Sequence, residues 1–190
     1  MRMGEISGKF SVSRKVISKQ FLLKSMDYTI TIFPKFKAID KINSVRKKYD
    51  PSYNWLKPHI ALVYYFTERP TTKKINELIG RFSSFKIRLD KINTSSKGDF
   101  IFLDVTQGKK KIIQLKNALY KGLGLKWDKE FAYKPHMTIA KFKTKEEQKS
   151  ALKEIRKEKL NFSCEINSFV VLEVSKDLKK IKSKRKFELW

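Results

Sequence analysis

From residue 28 onwards the chain passes between short segments of period two and longer ones of period near 3.6, the two signatures of strand and amphipathic helix. Tyr28-Thr29-Ile30-Thr31-Ile32-Phe33 alternates, is rich in β-branched and aromatic residues, and stops at Pro34, which predicts a first strand. Over residues 38–49 the apolar positions Ile39, Ile42, Val45 and Tyr49 recur at helical spacing while Lys37, Lys41, Arg46 and Lys47 take other faces. That helix should end at Asp50-Pro51-Ser52-Tyr53-Asn54. Residues 59–66 read as an apolar, aromatic strand. A second helix, capped by Thr71 or Thr72, carries Ile75, Leu78, Ile79 and Phe82 on one stripe. Segments 85–91 and 100–105 should pair as a hairpin around the turn at 95–98.

In the second half, Ile112, Leu115, Ala118 and Leu119 mark a third helix stopping near Gly122 and Gly124. A loop over 127–135 leads to a strand at 136–142. Thr144 with Glu147 forms a capping-box pattern for a fourth helix carrying Ala151, Leu152 and Ile155. Residues 168–174 are a last strong strand. The expected organisation is a basic extension at 1–27, a domain at 28–175 and a basic tail at 176–190, whose apolar end can add an edge strand. Strands and helices alternate in two rough halves, so the fold class is α+β with two pseudo-symmetric lobes and a cleft between their sheets.

At 190 residues and 41% hydrophobic content the chain can bury a real core, which argues against disorder. Its 44 Lys+Arg against 19 Asp+Glu, a formal +25, makes a field that attracts polyanions such as nucleic acid or anionic membrane, or simply a lysine-rich solvated surface. Cys164 is the one cysteine, so no internal disulfide forms. With two histidines it is a poor basis for a closed zinc site. A reducing, cytoplasmic setting without metal or cofactor is expected, and a monomer. No apolar run reaches the length of a membrane span, and residues 1–27 lack the hydrophobic core of a secretory signal. That stretch is basic, serine-containing and acid-poor, a composition shared by transit peptides and by basic helical extensions.

The two histidines stand in near-repeats, Lys57-Pro58-His59-Ile60-Ala61-Leu62 and Lys134-Pro135-His136-Met137-Thr138-Ile139, which lie 77 positions apart. That is the scale of a duplicated half-domain rather than a solenoid repeat. Strand alternation puts His59 with Ala61 and His136 with Thr138 on one face, and the apolar neighbours on the other. A lone histidine in an apolar strand is ordinarily a satisfied packing residue, but packing gives no reason for the shared context. Two imidazoles facing one space can transfer protons as a matched pair, one accepting from a nucleophile and one donating to a leaving oxygen. Thr138 is placed to donate a hydroxyl hydrogen bond to a phosphate oxygen.

Pro-His-x-[Thr/Ser]-hydrophobic, twice in such a chain, resembles the two-histidine (2H) phosphoesterase superfamily, in its 2′-5′ RNA ligase-like and cyclic phosphodiesterase branch. Pro135-His136-Met137-Thr138-Ile139 matches fully, while Pro58-His59-Ile60-Ala61-Leu62 has alanine where the family carries a hydroxyl; the likeness covers about residues 28–174. The resemblance implies two lobes of antiparallel-rich sheet flanked by helices. It further implies a metal-independent enzyme that opens 2′,3′-cyclic phosphates or acts on 2′-5′ linkages in RNA or nucleotides. His59 and His136 would be the acid/base pair and Thr138 a phosphate ligand, with the roles of the two histidines left open. Ala61 cannot donate to a phosphate, so the alternative is an RNA-binding protein with little turnover on a weakened scaffold. A membrane-surface or structural role would leave the histidine repeat unexplained. Tyr53, Trp55 and Tyr133, in the loops before the histidines, can stack on bases or cap a lobe core. Lys57 and Lys134 can bring charge to a phosphate. Lys86 and Arg88 share a strand face that is either cleft or solvent.

Overall fold

The computed structural model describes residues 28–126, 132–175, 177 and 179–190. Eight strands form two four-stranded antiparallel sheets. The first sheet runs β2-β1-β7-β8 and the second β5-β4-β3-β6. In chain order the elements are β1 (Tyr28–Ile32), α1 (Ile39–Tyr49), β2 (Ile60–Phe66), α2 (Thr72–Ile79), β3 (Phe85–Thr94) and β4 (Phe100–Gln107). There follow α3 (Lys109–Gly122), β5 (His136–Lys141), α4 (Lys145–Ile155), β6 (Phe162–Ile166), β7 (Ser168–Val174) and β8 (Ile181–Glu188). The α+β class and the two-lobed arrangement expected from the pattern are what the structure shows.

The repeated unit is strand, helix, histidine strand: β1-α1-β2 in one sheet and β4-α3-β5 in the other. Each histidine strand pairs antiparallel with the strand before its helix, and each forms the edge of its sheet. The helices cross over. Helix α1 leaves the first sheet and packs on β5 of the second, whereas α3 leaves the second sheet and packs on β2 of the first. The two edges are thereby held against one another.

Local signals set most element ends. Thr144 accepts from the Glu147 amide and the Glu147 carboxylate accepts from the Thr144 amide, completing the capping box of α4. Thr71 caps α2 by accepting from the Lys74 amide at 3.2 Å. Phe82, expected on the α2 stripe, lies beyond the helix end yet still packs against the core. Buried residues from both sheets and all four helices, including Ile30, Ile42, Ile75, Leu89, Leu115 and Ala151, form one continuous core.

One departure from the sequence expectation concerns the C-terminal part. Strand β6 was not expected, although Phe162, Cys164 and Ile166 face inward while Ser163 and Glu165 are exposed. It belongs to the second sheet and β7 to the first, with Asn167 between them, so the apolar phase slips by one at the change of sheet. Residues 176–190, a basic tail whose apolar end can add an edge strand, include β8, which pairs along β7 at the edge of the first sheet, and Phe187 and Leu189 are buried at 4% and 7% exposure. The boundary placed at residue 175 therefore falls inside a sheet. The extension at 1–27, and residues 127–131 of the loop before His136, lie outside the described residues.

Gly108 links β4 to α3 at φ +80°, and a Cβ there would sit 2.4 Å from the Lys86 carbonyl oxygen. Both the left-handed backbone and the close carbonyl oppose a side chain. Gly108→Ala should cost about 1–3 kcal/mol in denaturant unfolding, and an unchanged midpoint and slope would refute this account of the turn.

Candidate active site

His59 stands one residue before β2 and His136 opens β5, and both line a single cleft of about 640 Å³ between the two sheet edges. Each imidazole is oriented in the same way. His59 Nδ1 lies 3.0 Å from the Lys57 carbonyl, and His136 Nδ1 lies 2.7 Å from the Lys134 carbonyl. A carbonyl can only accept, so Nδ1 carries the proton in each ring, and Nε2 is the nitrogen left for chemistry. An aromatic ring from the preceding part of each unit backs the imidazole. Phe33 is 6.2 Å from His59 and Phe102 is 4.7 Å from His136, centroid to centroid.

Both histidine strands also carry a β-bulge at the same place. In β2 the pairing runs Thr31 with Ala61 and then Ile30 with Val63, so Leu62 is the extra residue. In β5 it runs Phe102 with Thr138 and then Ile101 with Ala140, so Ile139 is extra. Each bulge follows the residue two beyond its histidine and buries its extra residue completely. It also reverses the face of what comes next. Lys141 thereby joins His136 and Thr138 in the cleft, although strict alternation from His136 would send it to the other side.

Lys141 is held by the loop that feeds His59. Its Nζ donates to Ser52 Oγ at 2.9 Å and lies 3.8 Å from Asp50 Oδ1. Asp50 is already paired: Arg46 Nε donates to its Oδ2 at 2.9 Å, and the Ser52 amide donates to Oδ1 at 2.9 Å. Arg46 Nη2 also donates to the Leu56 carbonyl at 2.6 Å, which ties down the loop just ahead of His59.

These charges act on His59. Burial is the main cause that pushes its pKa down from 6.5 to about 4, opposed by the Lys57 carbonyl and reinforced by the positive charges of Arg46 and Lys141. His59 is therefore neutral at neutral pH, with Nε2 free to accept a proton.

The other residues singled out from the sequence fall in different places. Trp55, Ala61 and Thr138 line the cleft with the histidines. Tyr53 and Lys57 do not. They line a separate groove behind the loop, with Lys35, Asn43 and Asn54. The Tyr133 hydroxyl donates to the Ala61 carbonyl at 2.6 Å and so ties the loop before His136 to the first histidine strand, and Tyr133 is not among the residues that line the cleft. The Lys134 side chain is exposed and outside the lining, and both motif lysines meet the site through their backbone carbonyls. Lys86 and Arg88 are exposed and outside the cleft.

Sequence reasoning missed Lys141, Ser52, Thr31 and the aromatic pair Tyr64 and Tyr65, all of which line the cleft. Thr31 was visible as the polar phase of the first strand. It is the cross-strand partner of Ala61, and its hydroxyl donates to the Ile60 carbonyl at 3.0 Å. A hydroxyl therefore stands beside the position where the first motif lacks one.

The shifted His59 makes a stability prediction. Its folded pKa of about 4 lies below the ordinary 6.5, so between those values the unfolded chain binds the proton and the folded chain does not. Stability should fall as pH drops from about 6.5 towards about 4. His59→Gln removes that contribution, so a pH series of unfolding midpoints should be flatter for the variant across this window. Parallel curves would show that His59 is not held neutral.

Comparison with known proteins agrees with this architecture. Residues 34–178 match the family model described as the 2′-5′ RNA ligase superfamily. A protein of Bacillus cytotoxicus named "Putative phosphoesterase" is 27% identical over 153 residues, covering 77% of this chain and 88% of its own length. The crystal structure of E. coli LigT complexed with NADP+ superposes with TM-score 0.56 at 17% identity, covering 86% of this chain and 98% of that one. A structure titled only as a phosphoesterase gives TM-score 0.57 at 16% identity over 87% and 98% of the two chains. The fold is that of LigT, the relatives point to phosphoesterase activity, and the chain belongs to the 2′-5′ RNA ligase superfamily, the 2H phosphoesterases.

Proposed function

We propose that the chain is a metal-independent phosphodiesterase that opens 2′,3′-cyclic phosphates or cleaves 2′-5′ linkages in RNA or nucleotides. The observation that carries this reading is the matched pair of imidazoles, each with Nδ1 fixed to the carbonyl two residues earlier, on opposite walls of one cleft. His59 is the base and His136 the acid. Neutral His59 takes a proton from water as its oxygen bonds to phosphorus. The P–O bond to the departing ribose oxygen breaks, and His136 gives that oxygen a proton. Thr138 and Lys141 hold the phosphate oxygens, Lys141 as a point charge. A bound phosphate favours the imidazolium form of His59, so the base strengthens once substrate is present.

A second reading rests on Ala61, which lines the cleft and has no donor. In that reading the chain binds RNA and turns it over poorly. Lys141 favours the enzyme reading, since it brings a cation into the cleft with the histidines, whereas the Thr31 hydroxyl spends its hydrogen on the Ile60 carbonyl.

Turnover of a nucleoside 2′,3′-cyclic phosphate, measured as ring opening, tests the proposal. Activity should survive chelators and disappear in His136→Ala. Thr138→Ala should lose roughly 10²–10³ in rate, the scale of one lost donor to a transition-state oxyanion. The acid limb of kcat/KM should lie near pH 4 rather than 6.5, because that limb reports the base of the free protein. Ala61→Thr separates the two readings: a large gain over feeble turnover favours the weakened scaffold, and a small change in an active protein favours the enzyme. No ring opening by the unaltered protein would overturn the enzyme reading.

A further inference from the structure

The cleft face of the first sheet does not stop at the histidine. Directly paired residues of an antiparallel sheet share a face. The pairings run Ala61 to Thr31, Thr31 to Val170, and Val170 to Lys186, so these four side chains form one row across all four strands. A second row runs Thr29 to Leu172 to Lys184. The face that carries the first half-site thus ends, on β8, in two exposed lysines.

Between the two ends lies apolar ground. Leu56, Leu172 and Val174 form a small buried cluster separate from the main core, and the side chains around it that a base can reach are the partly buried Phe33, Trp55, Tyr65 and Val170. Trp55, Leu172 and Val174 are also part of the cleft lining. Lys186 pairs with Glu188 on the same face, but both are more than half exposed, and such a pair contributes little and exchanges readily. The distance from β2 to β8 is three strand spacings, about 14 Å, a span roughly two or three nucleotides long.

We infer that this face is the track of a single-stranded RNA substrate. The terminal phosphate sits between His59 and His136, the adjoining bases lie against the apolar strip beside Trp55, and an upstream phosphate meets Lys184 and Lys186. The inference rests on the proposed phosphoesterase reading for the placement of the strand end, and it narrows the substrate from any cyclic phosphate to an oligoribonucleotide. The aromatic and aliphatic strip supplies sequence-tolerant stacking. The lysine row supplies the charge that a mononucleotide cannot reach.

The test compares the unaltered protein with Lys184→Gln/Lys186→Gln, and with Lys109→Gln/Lys110→Gln on exposed positions of α3 as a charge-matched control. The probe is a fluorescent pentaribonucleotide ending in a 2′,3′-cyclic phosphate, its binding followed by anisotropy over a salt series. Losing the one upstream phosphate contact on a single strand should lower the slope of log K against log salt by about 0.7. The control should leave the slope unchanged. In turnover, KM for the pentanucleotide should rise in the β8 variant while kcat, and both constants for the mononucleotide, stay the same. An unchanged slope in the β8 variant, or an equal fall in the control, overturns the track. Failure of the unaltered protein to open either substrate overturns the phosphoesterase reading instead, and the binding slopes still decide the track.

Discussion

Arg46 is 1% exposed and Asp50 7%, so a complete ion pair lies inside the lobe that carries the first histidine. A buried pair of this kind adds little net stability, because desolvating both charges offsets their attraction. Its effect here is positional. The guanidinium takes the Asp50 carboxylate and the Leu56 carbonyl, the carboxylate takes the Ser52 amide, and the loop between α1 and β2 is thereby fixed at both ends. His59 follows that loop directly. Lys141 reaches the same carboxylate from the opposite edge, so the pair that shapes one half-site also anchors the lysine proposed to hold phosphate in the other.

The pseudo-symmetry is more than a repeated string. Both units share the carbonyl that fixes Nδ1, the aromatic ring behind the imidazole, the bulge after the residue two beyond the histidine and the crossing helix. Two ties across the cleft complete the arrangement: Tyr133 to the Ala61 carbonyl, and Lys141 to Ser52. Edge strands brought together without pairing need such ties to keep a fixed separation, and proton transfer to a single phosphate needs that separation fixed. The units differ in one hydroxyl. Thr138 has no counterpart in Ala61, and the neighbouring Thr31 is the nearest group of that kind within the sheet.

The parts of the fold legible in the sequence were those set by local chemistry. The capping box at Thr144, the Thr71 cap, the strand phase of Tyr28 to Ile32 and the helical stripe through Ile112 and Leu119 each state a local energy preference that the tertiary structure keeps. What was not legible depended on pairing. A bulge is a relation between two strands, so nothing in His136 to Lys141 alone shows that Lys141 turns to the face of the histidine. Strand β6 is five residues long, and its alternation runs into β7 with the opposite phase because the chain changes sheets at Asn167. Tyr53 and Trp55 are two positions apart in one loop, yet only Trp55 enters the cleft; the turn organised by Asp50 decides this, and no periodicity encodes it.

Net charge alone did not identify a ligand, and its distribution says more. Among the described residues that line the cleft the one carboxylate is Asp50, and it is already paired with Arg46. Lys141 therefore faces the cleft beside a carboxylate whose charge is largely offset by Arg46. Burial, reinforced by the charges of Arg46 and Lys141, holds His59 neutral, and the same positive charge would attract the proposed phosphate. An arriving anion would cancel part of the first effect. Attraction of the substrate and activation of the base thus follow from one electrostatic arrangement, in which Lys141 contributes to both and a β-bulge is what puts it there.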